Sequence, residues 1–303
     1  MNPRSAPPSN DWTPPAPDGI TIAANGLSFH ALAAGPTDGP LLILLHGFPE
    51  TSHGWAKQIA PLAEAGFRVV APDQRGVGLS SKPVGIGQYR IDLLAADVAA
   101  IIRALGRERA SVVGHDWGGV VAWHLAEHHA DVVERIAILD APHPAIFSAY
   151  LLRHPSQLGR SWYMAFFQLP WVPEAILGAG NFEWLAQALT TTSRPGAFSS
   201  VDLRVYREAW AQPGALTGML NWYRALPLGS KLAPNGPIAA PVRLLWGDKD
   251  SALEPGLAEA SIARCANGEV IHLPDATHWL QHEEPQRVNE LLLEFLARVT
   301  RLA

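Results

Sequence analysis

Cysteine and charge are both scarce in this sequence. The 303 residues include one cysteine, Cys265, so an intramolecular disulfide and a zinc knuckle built on cysteines are excluded. Charged residues make up 17% of the chain, the formal net charge is −5, and no run of lysine or arginine occurs. We therefore expect no nucleic acid as a partner. The 48% of hydrophobic residues favours a folded chain over a disordered one.

Long apolar runs are missing as well. The chain contains no run of about 18 or more apolar residues, the length that a helix needs to cross a bilayer, so we expect no membrane span. Its first residues lack the apolar segment of a secretory signal. Together with the single cysteine, this predicts a cytoplasmic protein. The sequence leaves two oligomeric states open, a monomer or a homodimer.

Apolar runs of strand length recur between helical patterns. They stand at residues 40–46, 67–71, 110–113, 135–139, 242–246 and 270–273. A run that is apolar at every position is typical of a strand buried on both faces, as in a parallel sheet. Between the runs, spacings of three and four residues, as in Ile91, Leu94 and Val98, predict amphipathic helices. The alternation predicts an α/β fold with a mostly parallel, doubly wound sheet.

The pattern divides the chain into three parts. Residues 1–18 contain six prolines, which predicts a flexible, extended arm. Strand signals disappear across residues 141–239, where the sequence is aromatic, helical in pattern and broken by prolines. We therefore predict an α/β core formed by residues 19–140 and 240–303, interrupted by a helical insertion at 141–239.

One segment carries a candidate nucleophile. After the predicted strand at 110–113 the chain reads Gly-His-Asp-Trp-Gly-Gly, residues 114–119. Small residues around a central polar residue are typical of the sharp strand–turn–helix that presents a nucleophile, because Cβ atoms would not fit beside it. The central residue is Asp116, and a carboxylate attacks an electrophilic carbon to form an ester that must then be hydrolysed. The alternative is an aspartate that merely caps a helix.

Further positions fit this chemistry. His-Gly-Phe-Pro at 46–49 follows the first buried strand, where folds of this kind place an oxyanion-hole loop. The backbone N–H groups of Phe48 and Trp117 are therefore candidates for an oxyanion hole. Asp250 ends a late strand and His278 follows the last one. The chain order of Asp116, Asp250 and His278 is the order nucleophile, acid, base.

Taken together, these motifs resemble those of the α/β-hydrolase-fold epoxide hydrolases of the soluble type. The matching segments are HGFPE at 46–50, DQRGVG at 73–78, GHDWGG at 114–119, WGDKD at 246–250 and HW at 278–279. The resemblance covers nearly all of the chain after the arm. It implies an α/β-hydrolase fold in which the insertion at 141–239 is a helical cap.

The resemblance also implies an activity. Asp116 would attack an epoxide carbon, His278 would activate the water that cleaves the resulting ester, and Asp250 would orient His278. The partners would be a small apolar epoxide and water, and the product a vicinal diol. No metal and no organic cofactor is implied.

Two tyrosines are implicated in the same way. The segments 161–170 and 221–224 resemble the lid segments of that family, in which two tyrosines hydrogen-bond the epoxide oxygen. Tyr163 and Tyr223 occupy the matching positions. A phenol suits this role because it is neutral near pH 7 and can donate a proton. The alternative is that both tyrosines are core residues, as aromatic side chains at helical spacing usually are.

The acid of the triad has a second candidate. Asp140 ends the strand that follows the nucleophile helix, and dehalogenases of related sequence place their acid there. We favour Asp250 because it lies at the position usual for epoxide hydrolases and because the chain order fits. The structural alternative for Asp140 is a turn residue before Pro142.

Three other functions are considered. A haloalkane or haloacid dehalogenase shares the Asp–His–acid machinery, but Phe48 in place of a polar donor, together with two lid tyrosines, favours an epoxide. A zinc peptidase is suggested by His124, Glu127 and His128, which match H-x-x-E-H, but no third ligand is evident. A non-catalytic ligand-binding protein on this fold would not need a complete hydrolytic set.

Tryptophan is abundant, with 11 in the chain. Several lie beside the motifs, and these are Trp117, Trp162, Trp222, Trp246 and Trp279. Aromatic side chains concentrated around one cleft predict an apolar pocket in which a few polar groups orient the substrate.

Overall fold

The computed structural model describes residues 17–230 and 236–297. Its centre is an eight-stranded sheet in the order β1-β2-β4-β3-β5-β6-β7-β8. The strands are β1 (Asp18–Ala24), β2 (Leu27–Ala34), β3 (Leu41–Leu45), β4 (Arg68–Pro72), β5 (Ala110–His115), β6 (Val133–Leu139), β7 (Val242–Gly247) and β8 (Gly268–Leu273). β2 pairs antiparallel with β1 and β4, and the other pairs are parallel. The mostly parallel sheet is as predicted.

The sheet begins with a hairpin at the end of the predicted arm. β1 and β2 are joined at Asn25 and Gly26, whose φ angles are 49° and 73°. Two positive φ angles in a two-residue turn match the twist of the flanking strands, which is why Asn-Gly is favoured there. Because β1 starts at Asp18, the core begins one residue earlier than predicted. The arm prediction otherwise falls almost entirely on residues outside the described part of the chain.

Helices connect the strands. They are α1 (Ala56–Glu64), α2 (Ile91–Ala104), α3 (Trp117–His128), α4 (Pro144–Leu151), α5 (Pro155–Arg160), α6 (Trp162–Phe166), α7 (Val172–Thr192), α8 (Ser200–Trp210), α9 (Ala215–Arg224), α10 (Gly256–Ile262), α11 (Leu280–Glu283) and α12 (Pro285–Ala297). Short 3₁₀ helices lie at Ser52–Trp55, Ile86–Tyr89, Ala130–Val132 and Leu226–Leu228.

Strand β3 shows why its sequence is apolar at every position. Ile43 and its same-face neighbours belong to a core cluster shared with α2 and α3. Leu42 and Leu44 belong to a second cluster shared with α1 and α12. Because successive strand residues point to opposite faces, a strand covered by helices on both sides has no position left for a polar side chain.

The segment between β6 and β7 is helical. It carries α4 to α9, and within its described residues no strand of the sheet occurs. α7 is kinked, because the backbone from Ala179 to Phe182 leaves the helical conformation and Gly180 has φ 56°. Two indole N–H groups tie the segment to loops of the core. Trp210 donates to the carbonyl of Pro49 at 2.6 Å, and Trp222 donates to that of Arg75 at 3.0 Å.

None of the helices in the described ranges is both long and apolar enough to cross a membrane. The cytoplasmic location and the monomeric or homodimeric state stay predictions.

Candidate active site

The site lies where the chain diverges at the carboxyl end of the sheet. β3 has β4 on one side and β5 on the other, so the loops that follow β3 and β5 turn in opposite directions. Such a switch point leaves a crevice beyond the strand ends. Phe48 follows β3 and Asp116 follows β5, and both side chains therefore reach this crevice.

Asp116 stands in a strained backbone conformation between β5 and α3. Its φ is 48° and its ψ is −121°, and such a conformation costs a non-glycine residue about 1–3 kcal/mol. The turn is so tight that a Cβ on Gly118 would lie 2.1 Å from the carbonyl oxygen of Leu45. A Cβ on Gly47 would lie 2.5 Å from the Cβ of Asp116. The glycines of both motifs are thus needed for the close approach of the two loops.

The Asp116 carboxylate is held between a backbone amide and an imidazole. Its Oδ1 accepts a hydrogen bond from the N–H of Phe48 at 2.8 Å. Its Oδ2 lies 3.7 Å from Nε2 of His278. Burial works to raise the pKa of Asp116, but the hydrogen bond and charge of His278 outweigh it and lower the pKa below its ordinary value. Asp116 is therefore ionised near neutral pH.

His278 is oriented by Asp250. Its Nδ1 lies 2.7 Å from Oδ2 of Asp250. The other oxygen of Asp250 accepts hydrogen bonds from the amides of Ala252 and Leu253, at 2.6 Å and 3.0 Å. Burial works to lower the pKa of His278, but the charges of Asp250 and Asp116 raise it well above 6.5. The arrangement favours the protonated imidazole.

Asp140 lies close by but faces a different partner. Its Oδ1 accepts from the amide of Gly247 at 2.8 Å, and its buried Oδ2 has no hydrogen-bond partner within the described chain. Burial, reinforced by the charge of Asp250, raises the pKa of Asp140 well above its ordinary value. Of the two candidate acids, Asp250 is the one hydrogen-bonded to His278.

Tyr163 on α6 and Tyr223 on α9 are brought together opposite Asp116. Their ring centroids are 5.9 Å apart, and both line a cavity with Asp116 and His278. Burial is the main cause that raises the pKa of each phenol above 10. Both phenols are therefore neutral and able to donate near pH 7.

The cavity is large and apolar. Its volume is about 660 Å³. A second cavity of about 330 Å³ is also lined by Asp116, Tyr163 and Tyr223. The rings that line the larger cavity are those of Phe48, Trp162, Tyr163, Phe166, Phe167, Trp184, Tyr223, His278 and Trp279.

The tryptophans divide between this cavity and the core. Trp162 and Trp184 line the cavity and are 59% and 55% exposed. Trp279 also lines the cavity but is buried, and its indole N–H donates to Thr192 at 2.9 Å. Trp246, predicted to lie at the cleft, is instead fully buried in the core.

Sequence reasoning missed a buried polar network behind the site. Glu50 is 1% exposed, and its carboxylate accepts from Tyr206 at 2.7 Å and Gln281 at 3.1 Å and contacts His282 at 2.6 Å. It also lies 3.2 Å from His115, the residue before Asp116. The only sequence signal was the position of Glu50 in the HGFPE motif.

The H-x-x-E-H residues are not part of this site. His124, Glu127 and His128 lie on α3, at least eight residues beyond Asp116, which is about 12 Å along a helix. They line neither of the two cavities that contain Asp116. A zinc peptidase centred on them would have no cleft in common with the Asp–His pair.

Comparisons with known proteins agree with this fold. Residues 40–285 match the family model of the alpha/beta hydrolase fold. The chain is 47% identical to the AB hydrolase superfamily protein YfhM of Bacillus subtilis over 91% of this chain and 96% of that protein. It is 38% identical to human epoxide hydrolase 4 over 93% of this chain and 79% of that protein.

Solved structures point the same way. A Bacillus megaterium epoxide hydrolase crystallised with an inhibitor superimposes with a TM-score of 0.85 at 30% identity, covering 92% of this chain and all 100% of that one. An epoxide hydrolase from metagenomes of hot environments superimposes with a TM-score of 0.82 at 34% identity, covering 93% of this chain and 99% of that one. The chain belongs to the α/β hydrolase fold family, within the group of the epoxide hydrolases.

Proposed function

We propose that the protein hydrolyses small apolar epoxides to vicinal diols through a covalent ester on Asp116. The observation that carries the proposal is the convergence of four groups on one apolar cavity. Asp116 is held by the Phe48 amide and by His278, and the two phenols of Tyr163 and Tyr223 share its cavity. This set combines an anionic nucleophile, a base and two neutral proton donors.

In the first step, Oδ2 of Asp116 attacks an epoxide carbon. Oδ1 is already engaged by the Phe48 amide, whereas Oδ2 has the longer, 3.7 Å contact with His278, so Oδ2 is the attacking oxygen. The ring C–O bond breaks, and the oxygen that develops negative charge takes a proton from Tyr163 or Tyr223. The apolar walls keep water away from the carboxylate, so the preorganised donors act with little screening.

In the second step, water cleaves the ester. His278 takes a proton from the water, and the hydroxide adds to the carbonyl carbon of the Asp116 ester. The oxyanion that forms on Oδ1 is stabilised by the Phe48 amide, and we propose that the amide of Trp117, at the first turn of α3, donates as well. Asp250 stabilises the imidazolium. The bond between the carbonyl carbon and Oδ2 then breaks, and Oδ2, which leaves as an oxygen of the diol, takes the proton held by His278. The carboxylic acid that remains on Asp116 gives the proton of the added hydroxide back to the tyrosinate, directly or through water, and is again a carboxylate.

The helical segment at 141–239 is proposed to act as a cap. It supplies both tyrosines and most of the cavity wall, while the core supplies Asp116, Asp250 and His278. An apolar substrate enclosed between the two parts would be oriented by the phenols and the carboxylate alone.

The test uses labelled water to find the source of the new oxygen in the diol. With enzyme in excess over an aryl epoxide in H₂¹⁸O, the first diol formed should contain no label, because its new oxygen comes from Asp116. The label should instead appear in Asp116. Asp116→Asn, assayed before any side-chain hydrolysis, should form no diol, whereas the matched control Asp140→Asn should keep the labelling pattern.

Two results would overturn the proposal. Label in the diol of the first turnover would mean that water attacks the epoxide directly. Release of halide from chloro- and bromoalkanes, without diol formation from any epoxide of a panel, would make the protein a dehalogenase.

A further inference from the structure

The carboxyl-terminal half of α3 carries a cluster of potential metal ligands outside the catalytic site. His124 and His128 lie one helical turn apart, and their ring centroids are 4.1 Å from each other. Together with Glu127, they offer one ligand atom each, and these atoms all lie within 4.8 Å of one another. On a helix, residues three and four apart share one face, which explains the convergence.

Two nitrogens of this cluster are buried and are not engaged in a regular hydrogen bond within the described residues. Nε2 of His124 and Nε2 of His128 are inaccessible to water and have no hydrogen-bond partner within the described residues. Asp92 of α2 lies 3.0 Å from Nε2 of His124, a contact that becomes an ion pair if the imidazole is protonated, and Asp92 is also paired with Arg90 at 2.8 Å. Leaving a buried polar atom unsatisfied costs about 1–3 kcal/mol, so Nε2 of His128, for which no such carboxylate contact exists among the described residues, calls for a ligand.

The surroundings of the two nitrogens favour a cation. Asp92 lies on one side and Glu127 on the other. Glu127 is itself held by Nε2 of His143 at 2.9 Å and approached by Arg264 at 3.5 Å. Such contacts fix the carboxylate in place, as the partners of metal-binding carboxylates usually do.

We propose that His124, His128 and Glu127 bind one divalent transition-metal ion, with Asp92 beside it as a neighbouring or fourth ligand. Two imidazoles with carboxylates and no thiolate form a donor set suited to Zn²⁺, Ni²⁺ or Cu²⁺. Ligands at about 2.0–2.1 Å around a tetrahedral ion lie roughly 3.3 Å apart, so the ligand atoms, now within 4.8 Å of one another, would have to draw together on binding. The ion would link α3 to α2, remote from Asp116, and would take no part in the reaction.

The test is a Zn²⁺ titration of the full chain after treatment with a chelator. Calorimetry and metal analysis should give one bound Zn²⁺ per chain, and the ion should raise Tm. His128→Gln, at a half-buried position, should weaken binding more than about tenfold and abolish the rise in Tm. The matched control His154→Gln, whose ring stacks on Tyr150, should bind Zn²⁺ as the wild type does.

A second variant separates this site from the catalytic one. Asp140, Asp250 and His278 also place ligand atoms within 4.8 Å of one another. Asp250→Asn should leave Zn²⁺ affinity unchanged if the ion sits on α3. Equal affinity in wild type and His128→Gln, no binding at all, or a loss of binding in Asp250→Asn would overturn the proposal.

Discussion

Nδ1 of His278 lies 2.7 Å from Oδ2 of Asp250, while the nearby carboxylate of Asp140 is turned toward the amide of Gly247. Two acidic side chains thus share one buried corner, but only one of them is hydrogen-bonded to the imidazole. The charge of Asp250 also contributes to raising the pKa of Asp140, after burial, and this favours a neutral Asp140.

The first prediction follows from this asymmetry. Asp250→Asn should lower kcat by about 10³–10⁴-fold, because an amide neither stabilises the imidazolium nor holds the required tautomer. Asp140→Asn should lower it less than about tenfold, since a neutral acid and an amide differ little in charge. Steady-state diol formation by both variants is the measurement. A severe loss in Asp140→Asn alone would assign the acid to Asp140.

The second prediction concerns the two phenols. Tyr163→Phe and Tyr223→Phe should each lower the rate of ester formation by about 10²-fold, the usual contribution of one proton donor. The double variant should be slower than either single variant. Single-turnover kinetics on one epoxide measures this step. The control is Tyr150→Phe, because Tyr150 lines neither of the two cavities that contain Asp116. Its rate of ester formation should match that of the wild type. Wild-type rates in both single variants would limit the tyrosines to packing.

The third prediction is a pH dependence. Asp116 helps to raise the pKa of His278, and the ester on Asp116 carries no charge. The pKa of His278 should therefore fall once the ester forms, and ester hydrolysis should speed up as pH rises through that lower value. In Asp116→Asn, which mimics the uncharged state, NMR titration should give His278 a lower pKa than in the wild type. An unchanged or higher value would contradict the coupling.

The same shift affects stability. Folding raises the pKa of His278 above 6.5. The protonated imidazole therefore contributes fully to the free energy of unfolding below pH about 6.5, and this contribution is lost as pH rises through the pKa of His278 in the folded state. The free energy of unfolding of the wild type, relative to His278→Gln, should thus decrease with rising pH above about 6.5. Urea unfolding of both proteins across this range checks the sign.

The fourth prediction concerns the link between Glu50 and Tyr206. Tyr206→Phe removes a buried donor from the Glu50 carboxylate and should cost about 1–3 kcal/mol of unfolding free energy. Tyr150→Phe breaks a more exposed hydrogen bond to Glu254 and should cost less than about 1 kcal/mol. Urea unfolding of the two variants compares them directly. Equal losses of unfolding free energy in the two variants would show that the hydrogen bond from Tyr206 on α8 to Glu50 adds no particular stability.

Much of the core could be predicted from local patterns. Continuous apolar runs predicted β3 and β5 because a strand with helices on both faces buries every side chain. The Gly-rich segment around Asp116 predicted a sharp turn because only small residues permit the approach of Gly118 to Leu45. The exact ends of strands differ by one or two residues, since pairing with neighbours decides where a strand stops.

The network around Glu50 could not be predicted in this way. Its members come from the loop after β3, from α8, from β5 and from α11. Each is an ordinary polar residue in its own segment, and only burial against the others makes the group a unit. The same holds for the unsatisfied Nε2 of His128, because no spacing rule states which side-chain atoms remain without a hydrogen bond.

The sequence by itself determined the alternation of strands and helices and the glycine turn at Asp116, because these depend on residues that are neighbours in the chain, and it placed Asp116, Asp250 and His278 each at the end of a strand. Only the tertiary structure decided that Asp250 rather than Asp140 is hydrogen-bonded to His278, and that Tyr163 and Tyr223 share a cavity with Asp116. These choices depend on distances of a few ångströms between segments far apart in sequence, and packing alone sets such distances.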